Sequence, residues 1–139
     1  MEGSEYRVTG PSGRKVILVG WRRAYWEDDG YERLKMKMRE MGGPGTRVSV
    51  EGRRYALFEL EDGHWALVTE VQKMESDEAG RTTIGPPSAG RIERFETEVE
   101  LLREMRTRWR GDDKFDPYAN LLADWGRSDI LDDWQREAG

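Results

Sequence analysis

His64 is the only histidine, cysteine is absent, and carboxylates gather at Glu27-Asp28-Asp29 and at Asp112-Asp113 with Asp116. A histidine does acid–base work only when a partner fixes its ring within hydrogen-bond reach of a reacting proton. Opposite His64 a two-residue hairpin would set Glu61, a mere cross-strand neighbour beside an exposed turn, so His64 reads as part of that turn. The carboxylate clusters offer oxygen ligands for a hard cation, but they lack the alternate-position spacing and terminal Glu of a calcium loop. Solvated turns and helix caps account for them. Gly42, Gly43 and Gly45 lack the Lys-Ser/Thr ending of a phosphate loop, and a helix stop explains them without a nucleotide. The lack of cysteine excludes disulfides and thiolate metal sites. No catalytic residue, metal or cofactor is assigned, and function is to be sought in surfaces.

Two stretches are candidates for such surfaces. Arg103, Arg106 and Arg110 share one helical face with Trp109 close by, a pairing of cation and aromatic ring used at protein and nucleic-acid interfaces. Pairing with Glu100 and Glu104 along the same helix explains them equally well. Further on, Tyr118, Trp125 and Trp134 are large amphipathic anchors interleaved with Asp124, Asp129, Asp132 and Asp133. A basic surface with an apolar pocket would match them. The other reading folds both tryptophans back onto the domain. The expected partner-binding set is Arg103, Arg106, Trp109, Arg110, Trp125, Asp129, Asp132, Asp133 and Trp134.

The charge balance bears on the kind of partner. Residues 1–110 hold 20 Lys/Arg against 20 Asp/Glu, and residues 111–139 hold 3 against 8, which accounts for the net charge of −5. A neutral body with an acidic C-terminal tail favours a basic protein surface and disfavours direct nucleic-acid binding. At 139 residues, with 36% hydrophobic against 37% charged, one modest core is expected. Met1–Thr9 lacks an apolar signal region and no run is long enough to span a bilayer, so a cytoplasmic setting without membrane contact is the expectation.

The elements that must position these residues centre on Thr46–Gln72, read as a three-stranded meander. Val48 and Val50 alternate with Arg47 and Ser49, Glu51-Gly52 breaks the run, and Arg53–Glu61 and His64–Gln72 flank Asp62-Gly63, a type I′ hairpin signal. That turn pairs Leu60 with Trp65, Phe58 with Leu67 and Ala56 with Thr69 on one face, and Leu57 with Val68 and Glu59 with Ala66 on the other. Both faces are apolar and need covers. Before the meander, Glu5–Thr9 and Lys15–Tyr25 form strands around Gly10-Pro11-Ser12-Gly13, with Val16 and Leu18 on one face, Ile17, Val19, Trp21 and Tyr25 on the other, and a bulge at Gly20. Tyr31–Met41 is an amphipathic helix closed by Gly42-Gly43-Pro44-Gly45, a cover for one face.

Lys73–Gly90 reads as a mobile loop. A long helix from Ser88 to Arg110 follows, with Ile92, Phe95, Val99, Leu102 and Trp109 as its seam. At about 30 Å it is the second cover. Asp116 caps a helix that starts at Pro117 and runs to Trp125, and Ser128 caps a last one. The predicted fold is α+β: a mainly antiparallel sheet of about five strands, one short helix, one long helix and a helical acidic tail, organised as a 1–110 body and a 111–139 tail.

The cysteine-free, Arg/Glu-rich style of Gly52-Arg53-Arg54-Tyr55-Ala56-Leu57-Phe58-Glu59-Leu60-Glu61-Asp62-Gly63, together with the size and the sheet-plus-helix body, resembles the RNA polymerase-binding transcription inhibitors of Thermus bacteriophages. That resemblance implies a non-catalytic regulator acting in the host cytoplasm. It would dock on the polymerase β-subunit flap and the C-terminal region of the sigma factor and block initiation at promoters that need a −35 element. It carries over no individual residue. The rivals are an antitoxin or immunity-type protein that grips a basic partner with its acidic tail, and a small carboxylate-dependent enzyme. Truncation after Arg110 is expected to leave the body folded in the binding readings.

Overall fold

In the computed structural model, which describes residues 4–109 and 117–138, two long strands joined by a tight loop form the spine. In chain order the elements are β1 (Ser4–Thr9), β2 (Lys15–Glu27), α1 (Gly30–Met41), β3 (Arg47–Leu60), β4 (Trp65–Asp77), β5 (Thr82–Ile84), β6 (Ser88–Phe95), α2 (Glu98–Trp109), α3 (Pro117–Trp125) and α4 (Ser128–Ala138). The fold is α+β, with every strand pairing antiparallel. β1, β2, β3 and β4 lie side by side, and the far edge of β4 is shared by β6, opposite Trp65–Val71, and β5, opposite Met74–Ser76. Among the described residues no helix is long and apolar enough to cross a membrane.

The spine differs from the predicted meander in two ways. Glu51-Gly52 does not break the first strand, and β3 runs unbroken from Arg47. The loop contains three residues, Glu61-Asp62-Gly63, closed by Leu60 N–H to His64 O at 2.7 Å and Gly63 N–H to Leu60 O at 3.0 Å. A type I′ turn needs positive φ at both central residues. Gly63 has it, at +91°, but Asp62 does not, since among the described residues only glycines do. The pairing therefore moves by one residue: Glu59 faces Trp65, Phe58 faces Ala66, Leu57 faces Leu67, Ala56 faces Val68 and Tyr55 faces Thr69. A shift of one sorts the side chains differently between the two faces.

One face gathers Tyr55, Leu57, Trp65 and Leu67, with Ala24 of β2, under α2, α3 and α4. The other gathers Ala56, Phe58, Leu60, Ala66 and Val68 with Val8 and Leu18. Among the described residues no helix covers this second core; the sheet does. β1 curls round until it approaches β6, and Ile92 packs at the rim of the cluster. The fold thus has a concave core lined by strands and a convex core roofed by helices. Two long-range devices fit β2 to both. A bulge between Arg22 and Ala24 switches its parity, so Leu18 and Tyr25 face the concave side while Ala24 faces the helices. The bulge is not at Gly20, and Tyr25 does not share a face with Ile17 and Val19. Gly20 pairs regularly with Leu60, and a Cβ there would meet the Glu59 carbonyl oxygen at 2.2 Å, so close backbone approach is what requires glycine.

The stretch expected to be a mobile loop is ordered structure: residues 73–77 finish β4, and β5 and the start of β6 follow. The expected long helix is likewise split. Ser88–Phe95 is strand, and α2 begins at Glu98 behind a capping box in which Thr97 Oγ1 accepts from Glu100 N–H at 3.2 Å and Glu100 Oε2 accepts from Glu96 N–H at 3.2 Å. The supposed seam divides accordingly. Ile92 joins the concave core, Phe95 the convex one, and Val99 is 61% exposed. α1 covers neither core; it lies on β3 and β4 at the end of the spine away from the loop. α3 has the predicted bounds, while the Asp116 cap lies outside the described residues; Ser128, the predicted cap of the last helix, is instead the first residue of α4.

Candidate protein-binding surfaces

The sequence-derived partner set meets partners inside the chain. Trp134 is 9% exposed and belongs to the convex core with Leu101, Met105, Leu121 and Leu122. Trp125 packs on Trp65 with ring centroids 5.2 Å apart, and the Arg127 guanidinium lies 5.4 Å above its ring. Trp109 is half-buried against the same core. Arg106 pairs with Glu137, Asp133 with Arg136, and Asp129 with Arg127 at 3.5 Å. Arg103 and Asp132 are exposed, and Arg110 lies outside the described residues. The acidic aromatic tail packs on the convex face of its own sheet, over Tyr55, Leu57, Trp65 and Leu67. Arg108 straps α2 to β6, its Nη1 donating to Glu93 Oε1 at 2.8 Å and its Nη2 pairing with Glu93 Oε2; these bonds raise its pKa.

The candidate catalytic groups are held in structural contacts. His64 follows Leu60 in the ladder rather than Glu61, and its Nδ1 lies 3.0 Å from Asp62 Oδ1. Asp62 also pairs with Arg94 of β6. The His64 backbone N–H, 2.9 Å from Asp62 Oδ1, is the main reason the Asp62 carboxyl lies below its ordinary pKa. Asp28, Asp29 and Glu51 line a cavity of about 570 Å³ together with Arg33 and Arg53. Arg33 fills its chemistry: the guanidinium meets Asp28 Oδ2 at 3.0 Å and Asp29 Oδ1 at 3.1 Å and donates to the Glu51 carbonyl at 2.9 Å, while Asp28 Oδ1 accepts from Gly30 N–H at 3.0 Å. These carboxylates anchor the start of α1 and neutralise an arginine. Among the described residues no group of three His, Asp or Glu is placed to hold a metal ion. Asp112, Asp113 and Asp116 lie outside them.

What remains open is the convex face of the first hairpin. Within the described residues β1 pairs with β2 from Thr9↔Lys15 to Ser4↔Gly20. Beyond that point α3 takes over the edge of β2, with the Tyr25 N–H donating to Asp124 Oδ2 at 2.8 Å. The helical roof begins there too, over Ala24 and Trp26. Ile17, Val19 and Trp21 alternate on the same convex side just outside it, Ile17 52% and Val19 36% exposed. Charged neighbours frame them: Arg7 opposite Ile17, Glu5 opposite Val19, and Glu59 opposite Trp21. Arg23 pairs with Glu59 at 3.1 Å and sits 6.0 Å from the Trp21 ring. Beside the row a cleft of about 430 Å³ runs to the β3–β4 loop between Leu18, Leu60, Asp62 and Arg94.

This row of apolar side chains with a charged rim has the anatomy of a protein-docking patch. Its parity was legible in the sequence, which sets Ile17, Val19 and Trp21 on one face; that the helices stop short of them was not. No protein-family model matches the chain, and no curated protein or solved structure matches it significantly.

Proposed function

We propose that the chain is a non-catalytic binding protein that docks on a larger assembly through the convex face of its first hairpin. The observation that supports this is the exposed pair Ile17 and Val19, in line with the half-buried Trp21, just outside the cluster of Ala24, Tyr55, Leu57, Trp65 and Leu67 that the helices roof. The partner in this reading is bacterial RNA polymerase, at the flap and the sigma C-terminal region, with inhibition of initiation as the outcome; it rests on the resemblance to the Thermus-phage inhibitors. Inhibition of that kind needs tighter binding to one arrangement of flap and sigma than to the other, since equal affinity shifts nothing. The immunity-protein and enzyme alternatives draw less support. Trp125 and Trp134 are committed to the core, and the Asp28–Asp29 pair is committed to Arg33.

The test is affinity capture from a Thermus lysate by the tagged protein and by an Ile17→Thr/Val19→Thr variant, which keeps β-branched residues in the strand. The β subunit and sigma should be retained by the parent chain and at least tenfold less by the variant. Recovery of no polymerase subunit defeats the choice of partner, and equal recovery by the two proteins defeats the choice of surface.

A further inference from the structure

The end of the spine opposite the first hairpin carries a second opening, built by different elements. There α1 is held across the strands by Lys37, which donates to the Ser49 carbonyl at 3.1 Å, and by Leu34, which is 1% exposed. The apolar stripe of α1 is wider than that contact: Tyr31 is 46% exposed and Met38 only half-buried. Facing the stripe, β4 passes through its turn into β5, where Thr82 pairs with Ser76. Between helix and strands lies a groove of about 340 Å³, floored by Tyr31, Leu34, Met38, Ser76 and Thr82. That is the small end of the range for ligand sites, roughly 300–1,000 Å³, and suits one or two side chains better than a cofactor.

Its charge is one-sided. Lys35 and Arg39, one helical turn apart, are the charged residues of the lining, and no carboxylate is among them. Lys35 sits 4.9 Å from the Tyr31 ring and meets Glu32 at 3.1 Å, a pair exposed at both ends and hence weak. Arg39 is exposed at the end of the groove. Methionine at the centre of the floor adds a flexible, polarisable surface that adapts to different apolar shapes.

We propose that this groove binds an acidic segment of a partner protein. One large apolar side chain would seat between Tyr31, Leu34 and Met38, and flanking carboxylates would meet Lys35 and Arg39. A net charge of −5 on the whole chain disfavours a polyanion such as RNA but leaves a short acidic peptide free to meet two local cations. This site is independent of the polymerase reading. The groove is lined by α1, β4, β5 and the turn between those strands, and the patch is carried by β1 and β2, so the two share no residue and can be occupied separately.

Fluorescence anisotropy with a labelled nine-residue peptide, one phenylalanine and two leucines set among glutamates, tests it. The peptide should bind, weaken as salt rises, and lose at least tenfold in affinity on Lys35→Glu/Arg39→Glu, two surface changes whose effect on folding an unchanged melting curve would exclude. Met38→Glu should weaken it comparably, and Ile17→Thr/Val19→Thr should leave it unaltered. Equal binding of a peptide with lysines in place of the glutamates, tighter binding of a single-stranded RNA of similar length, or indifference to the Lys35/Arg39 reversal would each overturn the proposal.

Discussion

The C-terminal helices and the first hairpin carry similar material, large apolar side chains spaced among charges, and both sit at the convex face of one sheet. In α3 and α4 those side chains are covered: Leu121 and Leu122 are at most 1% exposed and Trp134 is 9% exposed. In β2, Ile17 and Val19 remain open. Composition does not separate the two by burial, because the tryptophans and aspartates of the tail look more like an interface than a hairpin of aliphatic residues does. What decides is supply: the tail lands on Tyr55, Leu57 and Leu67, which need a roof, and its ionic groups find Arg106 and Glu98 across the contact. Among the described residues no helix lands on Ile17 and Val19.

The comparison breaks most decisively by removing the tail. Against the expectation of an autonomous 1–110 body, a chain ending at Trp109 should fail to fold cooperatively. It loses Leu121, Leu122 and Trp134 at about 1.5–3 kcal/mol each, a large part of the 5–15 kcal/mol a domain has in all. Circular dichroism melting and dispersed amide resonances check this; a sharp transition in the truncated chain would make the tail an appendage after all. Trp134→Ala alone should cost about 3–5 kcal/mol in denaturant unfolding. Ile17→Thr should stay within about 0.5 kcal/mol, as an exposed site does. Equal effects at the two positions would erase the distinction between roofed and open apolar groups.

A smaller effect sharpens how the roof is fastened. Glu93 and Arg108 are 14% and 18% exposed, and the pair joins β6 to α2. Glu93→Gln keeps the shape and removes the charge, leaving the Arg108 guanidinium with Glu104 at 3.0 Å and the Tyr118 hydroxyl at 3.4 Å. A loss of about 1–3 kcal/mol is expected, since both groups are largely out of water. If the strap matters for the roof alone, the affinity of the first-hairpin patch for its partner should not change.

How much of this was legible follows from whether each signal is local. Gly10-Pro11-Ser12-Gly13, Gly42-Gly43-Pro44-Gly45 and Pro117 fixed strand and helix ends correctly because turn and cap chemistry is decided within a few residues. The spine pairing missed by one because Asp-Gly serves both a two-residue and a three-residue loop, and only the φ of Asp62 separates them. β6 was hidden because Ile92, Phe95 and Val99 fall at helical spacing; the overlooked signal was the Thr97–Glu100 capping box, which starts the helix after Ile92 and Phe95 and before Val99. That the tail packs on the sheet while Ile17 and Val19 stay exposed was beyond sequence reading, since it depends on which face of a curled sheet the roof reaches.

The smallest expected effect concerns the seam between roof and sheet, where β2 changes face. Tyr25 lies there with Asp124 on its backbone N–H, Glu27 on its hydroxyl and the Arg22 guanidinium 4.8 Å from its ring. Burial, reinforced by the hydrogen bond and negative charge of Glu27, pushes its phenol up to about 12 from 10.0. A raised folded-state pKa means that the neutral phenol is favoured in the native state. Its contribution to stability is therefore whole below pH 10 and is lost as pH climbs through about 12. Tyr55 is raised in the same sense by burial, so the parent chain should lose stability in that window through both tyrosines. Tyr25→Phe should show a shallower fall in melting temperature between pH 10 and 12 than the parent, with little difference at pH 7. If the two slopes coincide, the phenol is as free as in the unfolded chain, and the strand-lined core is open to water beside the β2 bulge.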